Sequence, residues 1–157
     1  MVIAVIMLIL STFVVSSAAT ASTPQVSYSI FPSWVTPPNP QGHGTVGLTV
    51  VYATPANSEV LALKLIVLLP QNVTNSTGGH SVTALFTAQM PINYEFNVTV
   101  RGNVSGPLTF KALLTFYIYY DNKTVTETSQ TEFTLPYYGT VGGEVVSHSQ
   151  FVRFGFN

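Results

Sequence analysis

An alternation of apolar and polar residues with period two runs through most of this chain, and it constrains the fold more than any other feature. Successive side chains of an extended strand point to opposite faces, so the alternation marks strands with one buried and one exposed face. The clearest case is Ile92 to Arg101, where Tyr94, Phe96, Val98 and Val100 share one face and Glu95, Asn97, Thr99 and Arg101 the other. Thr45 to Tyr52 repeats it with Val46, Leu48, Val50 and Tyr52 inward. Ser81 to Met90 does so with Val82, Ala84, Phe86 and Ala88, and Gln25 to Phe31 with Val26, Tyr28 and Ile30. Glu59 to Leu69 is apolar on both faces apart from Lys64. That suits a central strand covered on two sides, or a strand at a subunit contact. Leu108 to Tyr120 and Thr124 to Leu135, joined through Asp121-Asn122-Lys123, read as a long hairpin. Glu144 to Phe156 reads as a last strand, and no helical period occurs after residue 21. Seven or eight strands at roughly ten-residue spacing predict an all-β sandwich.

The connections carry turn residues. Pro32 to Gln41 holds four prolines and reads as a linker, because proline cannot sit in a central strand. Thr54 to Ser58, Pro70 to His80 and Gly102 to Pro107 read as turns or loops. Three segments follow: a hydrophobic segment over 1–21, an N-terminal strand with a Pro-rich linker over 22–41, and the sandwich over 42–157.

Residues 1–15 are almost wholly apolar, and Ala19-Thr20-Ala21 fits a small-X-small cleavage site with Ser22 as the mature start. No Lys or Arg precedes the apolar run. A cleaved signal peptide is the expectation, and a retained N-terminal helix is the alternative. The chain has no cysteine, which removes disulfide scaffolds, thiol catalysis and Cys-type zinc sites.

Five Asn-X-Ser/Thr sequons stand at Asn72, Asn75, Asn97, Asn103 and Asn122, among only nine asparagines. Behind a hydrophobic leader they point to a secreted, N-glycosylated surface protein. Asn97 falls on an outward strand face and the other four in turns, so all five are expected to reach solvent. Charged residues make up only 7% of the chain, against about 25% in ordinary soluble proteins. No Asp, Glu, Lys or Arg precedes Glu59. Attached sugars would offset the low net charge, and uncharged polar groups keep their hydrogen bonding in an acidic medium. Five scattered cations cannot form a nucleic-acid patch, so no nucleic-acid partner is expected.

Catalytic chemistry finds no foothold. His43, His80 and His148 sit in separate segments without paired ligand spacing, so no metal site is expected. Glu127 and Glu132 are five apart on one strand and face opposite sides. Asp121 is the only aspartate, and no Gly-X-Ser-X-Gly elbow occurs. No enzyme activity is expected, and no cofactor beyond N-linked glycans. The aromatic run Phe116-Tyr117-Ile118-Tyr119-Tyr120 reads as half core and half packing contact.

The run Pro37-Pro38-Asn39-Pro40-Gln41-Gly42, the strand Val46-Gly47-Leu48-Thr49-Val50-Val51-Tyr52, the strand Ala62 to Pro70 and the hairpin from Gly106-Pro107-Leu108 to Tyr119-Tyr120-Asp121 resemble the immunoglobulin-like domains of archaeal S-layer and related surface proteins. The similarity covers about Thr36 to Val141. By size, leader and sequon density the layout is closest to thread or pilus filament subunits of thermoacidophilic archaea. The resemblance implies an immunoglobulin-like sandwich and a homopolymer of identical subunits, with the S-layer or other cells as further contacts. Such subunits assemble by strand addition, in which one subunit's terminal strand completes its neighbour's sandwich. Val26, Tyr28 and Ile30 would then be the plugs of a donor strand, and Trp34 a further subunit contact. The tail Glu144 to Phe156, with Val152, Phe154 and Phe156 alternating, is a second candidate donor. The competing expectations are a monomeric or S-layer-associated adhesion module, and a pilin-like subunit held by its N-terminal helix.

Overall fold

The computed structural model describes residues 24–137. The expected leader and the expected last strand, Glu144 to Phe156, lie outside the described residues. Eight strands form in chain order: β1 (Ser27–Thr36), β2 (His43–Ala53), β3 (Ser58–Leu68), β4 (Val73–Asn75), β5 (Ser81–Thr87), β6 (Ile92–Val100), β7 (Leu108–Tyr120) and β8 (Lys123–Leu135). They make two four-stranded antiparallel sheets, ordered β1-β2-β6-β4 and β5-β3-β7-β8. The architecture is the expected all-β sandwich.

The alternation selects the inward faces. Val46, Leu48 and Val50 of β2, and Phe96, Val98 and Val100 of β6, point into the core from the first sheet. Leu63, Leu65 and Val67 of β3, and Phe110, Leu114 and Phe116 of β7, answer from the second. Phe116 locks the layers, meeting Tyr28 and Tyr52 of the other sheet at centroid distances of 5.8 and 5.6 Å, while Phe110 stacks on its cross-strand neighbour Phe133 at 5.1 Å within the second sheet. Burial pushes the phenols of Tyr52, Tyr94 and Tyr137 above the usual tyrosine range, because the ionised form would lose its water.

Two-residue turns and bulges set the register. The β7–β8 hairpin closes through Asp121 and Asn122, both left-handed with φ of 49° and 57°. That is the geometry of a turn whose twist matches its flanking strands. The pairing then runs unbroken from Tyr120–Lys123 to Leu108–Leu135.

Several expectations are corrected. The Pro-rich linker does not begin at Pro32, because β1 continues through Pro32 and Trp34 to Thr36, paired with β2. Proline lacks the amide donor of a ladder, but β1 is an edge strand and has no second neighbour to satisfy. The turn proper is only Pro37 to Gly42, pinned by Asn39, whose Oδ1 accepts from the amides of Gln41 and His43 at 3.0 and 2.9 Å. The sandwich therefore includes residues assigned above to the 22–41 segment.

The strand from Glu59 is central as expected, between β5 and β7, but among the described residues only one face is covered. A bulge between Val60 and Ala62 shifts the phase, leaving Leu61 and Leu68 exposed and Ile66 half-buried. The loop after Pro70 also holds a strand too short to show periodicity: β4 pairs with β6 and buries Val73 and Thr74. Ala88, expected inward, lies beyond the end of β5 and is exposed.

The packing argument has a direct check in urea denaturation. Phe116→Ala removes a ring that is 1% exposed and should cost about 3–5 kcal/mol. Leu85→Ala, at a side chain 69% exposed, should change stability by less than about 0.5 kcal/mol. Equal effects would refute the assignment of inward faces.

Candidate interaction seam and glycan sites

Each sheet ends on a free strand along the same side of the sandwich, β1 on the first sheet and β8 on the second. The two strands run in the same direction. Near one end the Val26 amide donates to Glu127 Oε2 at 2.7 Å, and the Tyr28 hydroxyl meets Ser129 Oγ at 2.8 Å. Toward the other end the Trp34 Nε1–H donates to the Pro136 carbonyl at 2.8 Å. Polar ties thus close the seam between two apolar layers.

The four expected contact residues do share one face of β1, and that face is turned toward the chain's own core. Val26 is buried, and Tyr28, Ile30 and Trp34 are half-buried against the core. Their partners, Glu127 and Ser129 on β8 and Pro136 just after it, were not expected as such from the sequence. The phase of β8 holds the signal: Val125, Phe133 and Leu135 pack inward, so Glu127, Ser129 and Thr131 between them lie on the same face. Glu132 falls on the opposite face, as expected, and pairs with Lys111 at 3.3 Å. Both partners are about half exposed, so the pair is worth about 0–1 kcal/mol.

The seam has a polarity. The start of β1 lies at the end of the sandwich that holds the β2–β3 turn and the Asn122 hairpin tip, because Ser27 pairs with Ala53 and Ser58 with Tyr120. The end of β8 lies at the opposite end, where Leu135 pairs with Leu108. The described chain therefore begins and ends at opposite ends of one seam.

Four of the five sequons gather away from it. Asn75 pairs with Val98 across the β4–β6 edge, the Asn72 carbonyl accepts from the Arg101 amide at 2.8 Å, and Asn103 follows two residues later. Asn97 is exposed on the outer face of β6, where its Oδ1 accepts from Thr45 Oγ1 at 2.9 Å. Asn122 stands alone at the β7–β8 tip, with its Oδ1 accepting from the Tyr119 hydroxyl at 3.3 Å.

Asn75 is half-buried, and its carboxamide is fully engaged. Its Oδ1 accepts from the Thr77 amide, the Thr77 hydroxyl and the Gly79 amide at 2.8–2.9 Å, and its Nδ2 donates to the Ser81 carbonyl at 2.8 Å. This carboxamide is the organiser of its own turn. The Asn72 sequon is constrained differently, since its hydroxyl residue Thr74 is buried with Oγ1 unpartnered among the described residues.

His43 and His80 make separate contacts. His43 Nδ1 meets Thr99 Oγ1 at 3.1 Å, and His80 Nδ1 donates to the Val73 carbonyl at 2.9 Å. His148 lies outside the described residues. Among the described residues no three His, Asp or Glu side chains come together as a metal cluster. In the aromatic run, Phe116 and Ile118 enter the core, while Tyr119 is exposed and Tyr117 half-exposed on the outer face.

No protein-family model matches the chain, and no curated protein matches it in sequence.

Site-resolved glycopeptide mass spectrometry of the protein from its native host should find Asn97, Asn103 and Asn122 occupied to a higher fraction than Asn75. Asn75→Ala should also destabilise the bare protein by about 1–3 kcal/mol, because two backbone amides lose their acceptor. Occupancy at Asn75 equal to that at Asn122, with no stability change in Asn75→Ala, would contradict the structural role.

Proposed function

We propose that this chain is a structural subunit of an extracellular, N-glycosylated surface filament, a homopolymer assembled by exchange of the N-terminal strand between neighbouring subunits. The observation that carries the reading is the seam. β1 is an edge strand that contributes one face of side chains to the core and is bounded by the short Pro37–Gly42 turn. An identical strand from a neighbour would make the same ladder with β2 and the same ties to Glu127, Ser129 and Pro136. Opening the turn would let its six residues span at most about 20 Å. The exits at opposite ends of the seam suit head-to-tail stacking, the arrangement that gives an open filament rather than a closed pair. The seam itself holds no sequon, while Asn122 and Asn103 stand at its two ends, so glycans there would flank the joints of the polymer.

The sparse charge fits a structural role at a cell surface. Polar contacts across the seam use hydroxyls, an indole and backbone groups, with the Glu127 carboxylate the one charged side chain. Nothing in this reading calls for catalysis.

A second reading is favoured by one specific observation. β1 pairs with β2 of its own chain over nine residue pairs, which is what a self-contained adhesion or S-layer-associated module requires. Cysteine cross-linking separates the two, because the chain has no cysteine of its own. Ser29 and Val51 are paired across β1 and β2 with outward, exposed side chains. Such facing positions lie about 4.5–5.5 Å apart at Cα, within disulfide reach. Ser29→Cys subunits assembled with Val51→Cys subunits should give covalent dimers under mild oxidation, and the double variant a ladder of oligomers. An internal disulfide in the double variant, with no dimer in the mixture, would sink strand exchange and support the self-contained module.

A further inference from the structure

The outer face of the first sheet carries a trough of about 490 Å³, within the roughly 300–1,000 Å³ range of small-ligand sites. Its floor is built from cross-strand pairs of β2 and β6: His43 with Thr99, and Thr45 with Asn97. One wall is the β1–β2 turn at Thr36 and Asn39, and the other is Ser76 beyond β4. No Asp, Glu, Lys or Arg lines it. The lining offers hydroxyl, carboxamide and imidazole groups, all able to hydrogen-bond. That is the chemistry of a sugar site, and a sequon asparagine stands in its floor.

We propose that this trough seats the first sugars of the glycan carried by Asn97 itself. The inference rests on the glycosylated-surface reading above and deepens it. The Thr45 hydroxyl holds Asn97 Oδ1 and so fixes the plane of the carboxamide. Among the described residues Asn97 Nδ2, the atom that bears a glycan, has no hydrogen-bond partner. The other exposed sequons are built otherwise, since neither Asn103 nor Asn122 lines this trough. A glycan rooted in the floor reaches the walls without the entropy loss of free association, because attachment makes its local concentration high.

Histidine labelling with diethylpyrocarbonate, read residue by residue by mass spectrometry, tests this whatever the glycan structure. Three samples are needed: the glycosylated protein, its Asn97→Gln variant, and the unmodified chain from a host without N-glycosylation, which keeps the Asn97–Thr45 bond. His43 should react at least about threefold more slowly in the glycosylated protein than in the other two, because such sites cover most of what they hold. Asn122→Gln should leave the protection of His43 unchanged. Equal reactivity of His43 in all three samples, with Asn97 occupied, overturns the seat while leaving the glycosylated surface intact. A bare Asn97 beside occupied Asn103 and Asn122 also overturns it. Five bare sequons would refute the glycosylated-surface reading itself.

Discussion

The phase of the side-chain alternation is the constraint on which the rest of this molecule depends. Two sheets bury a common layer only if every strand keeps its apolar set inward, and a slip of one residue turns the whole set to solvent. Phe116 shows how tightly the phases interlock. It projects from β7 and meets Tyr28 of β1 and Tyr52 of β2, so three strands must agree on one position. Where the chain departs from strict alternation, a bulge absorbs the change, between Trp34 and Thr36 on β1 and between Val60 and Ala62 on β3. Bulges at such places re-aim side chains without breaking the ladder beyond them. On β1 this leaves Val35 over Gly47, where a β-carbon would lie 2.7 Å from the valine methyl.

Strands with one wet face were legible from residues alone. β6 matches its alternation residue for residue, and β2 does so except at Gly47, which Val35 covers, because packing and local pattern demand the same thing. The β7–β8 hairpin was legible because Asp121 and Asn122 tolerate left-handed backbone. What sequence could not convey was which chain groups would face one another. Pro32 marks a linker by local rules, yet an edge position removes the penalty those rules encode. β4 has only three residues, too few for any period, and its existence depends on the edge that β6 leaves open. Asn75 carries a sequon in the sequence and a turn in the structure, and nothing within three residues distinguishes these roles. Glu127 was hidden for a similar reason: its partner is an amide 101 residues away.

The low charge of the chain also takes on a physical meaning in three dimensions. Surface polarity is carried by threonine, serine and asparagine in cross-strand pairs such as Thr45–Asn97, Thr49–Asn93 and Thr115–Thr128. These bonds do not depend on an ionised group. The sequons divide the surface, with four around the β4–β6 edge and one at the β7–β8 tip. The outer face of the second sheet, with Leu85, Leu68 and Ile66, carries none of them.

The seam between β1 and β8 joins these properties to a role. It holds no sequon, it is closed by the edge strand β1, and the described chain starts and ends at its opposite ends. High-resolution electron microscopy of the native surface material tests that role most directly. Strand exchange requires continuous filaments in which the chain of one subunit passes through Pro37–Gly42 into the sandwich of the next, with Tyr28 against the neighbour's Phe116. Discrete particles, or a filament in which each Tyr28 packs on the Phe116 of its own chain, would contradict it.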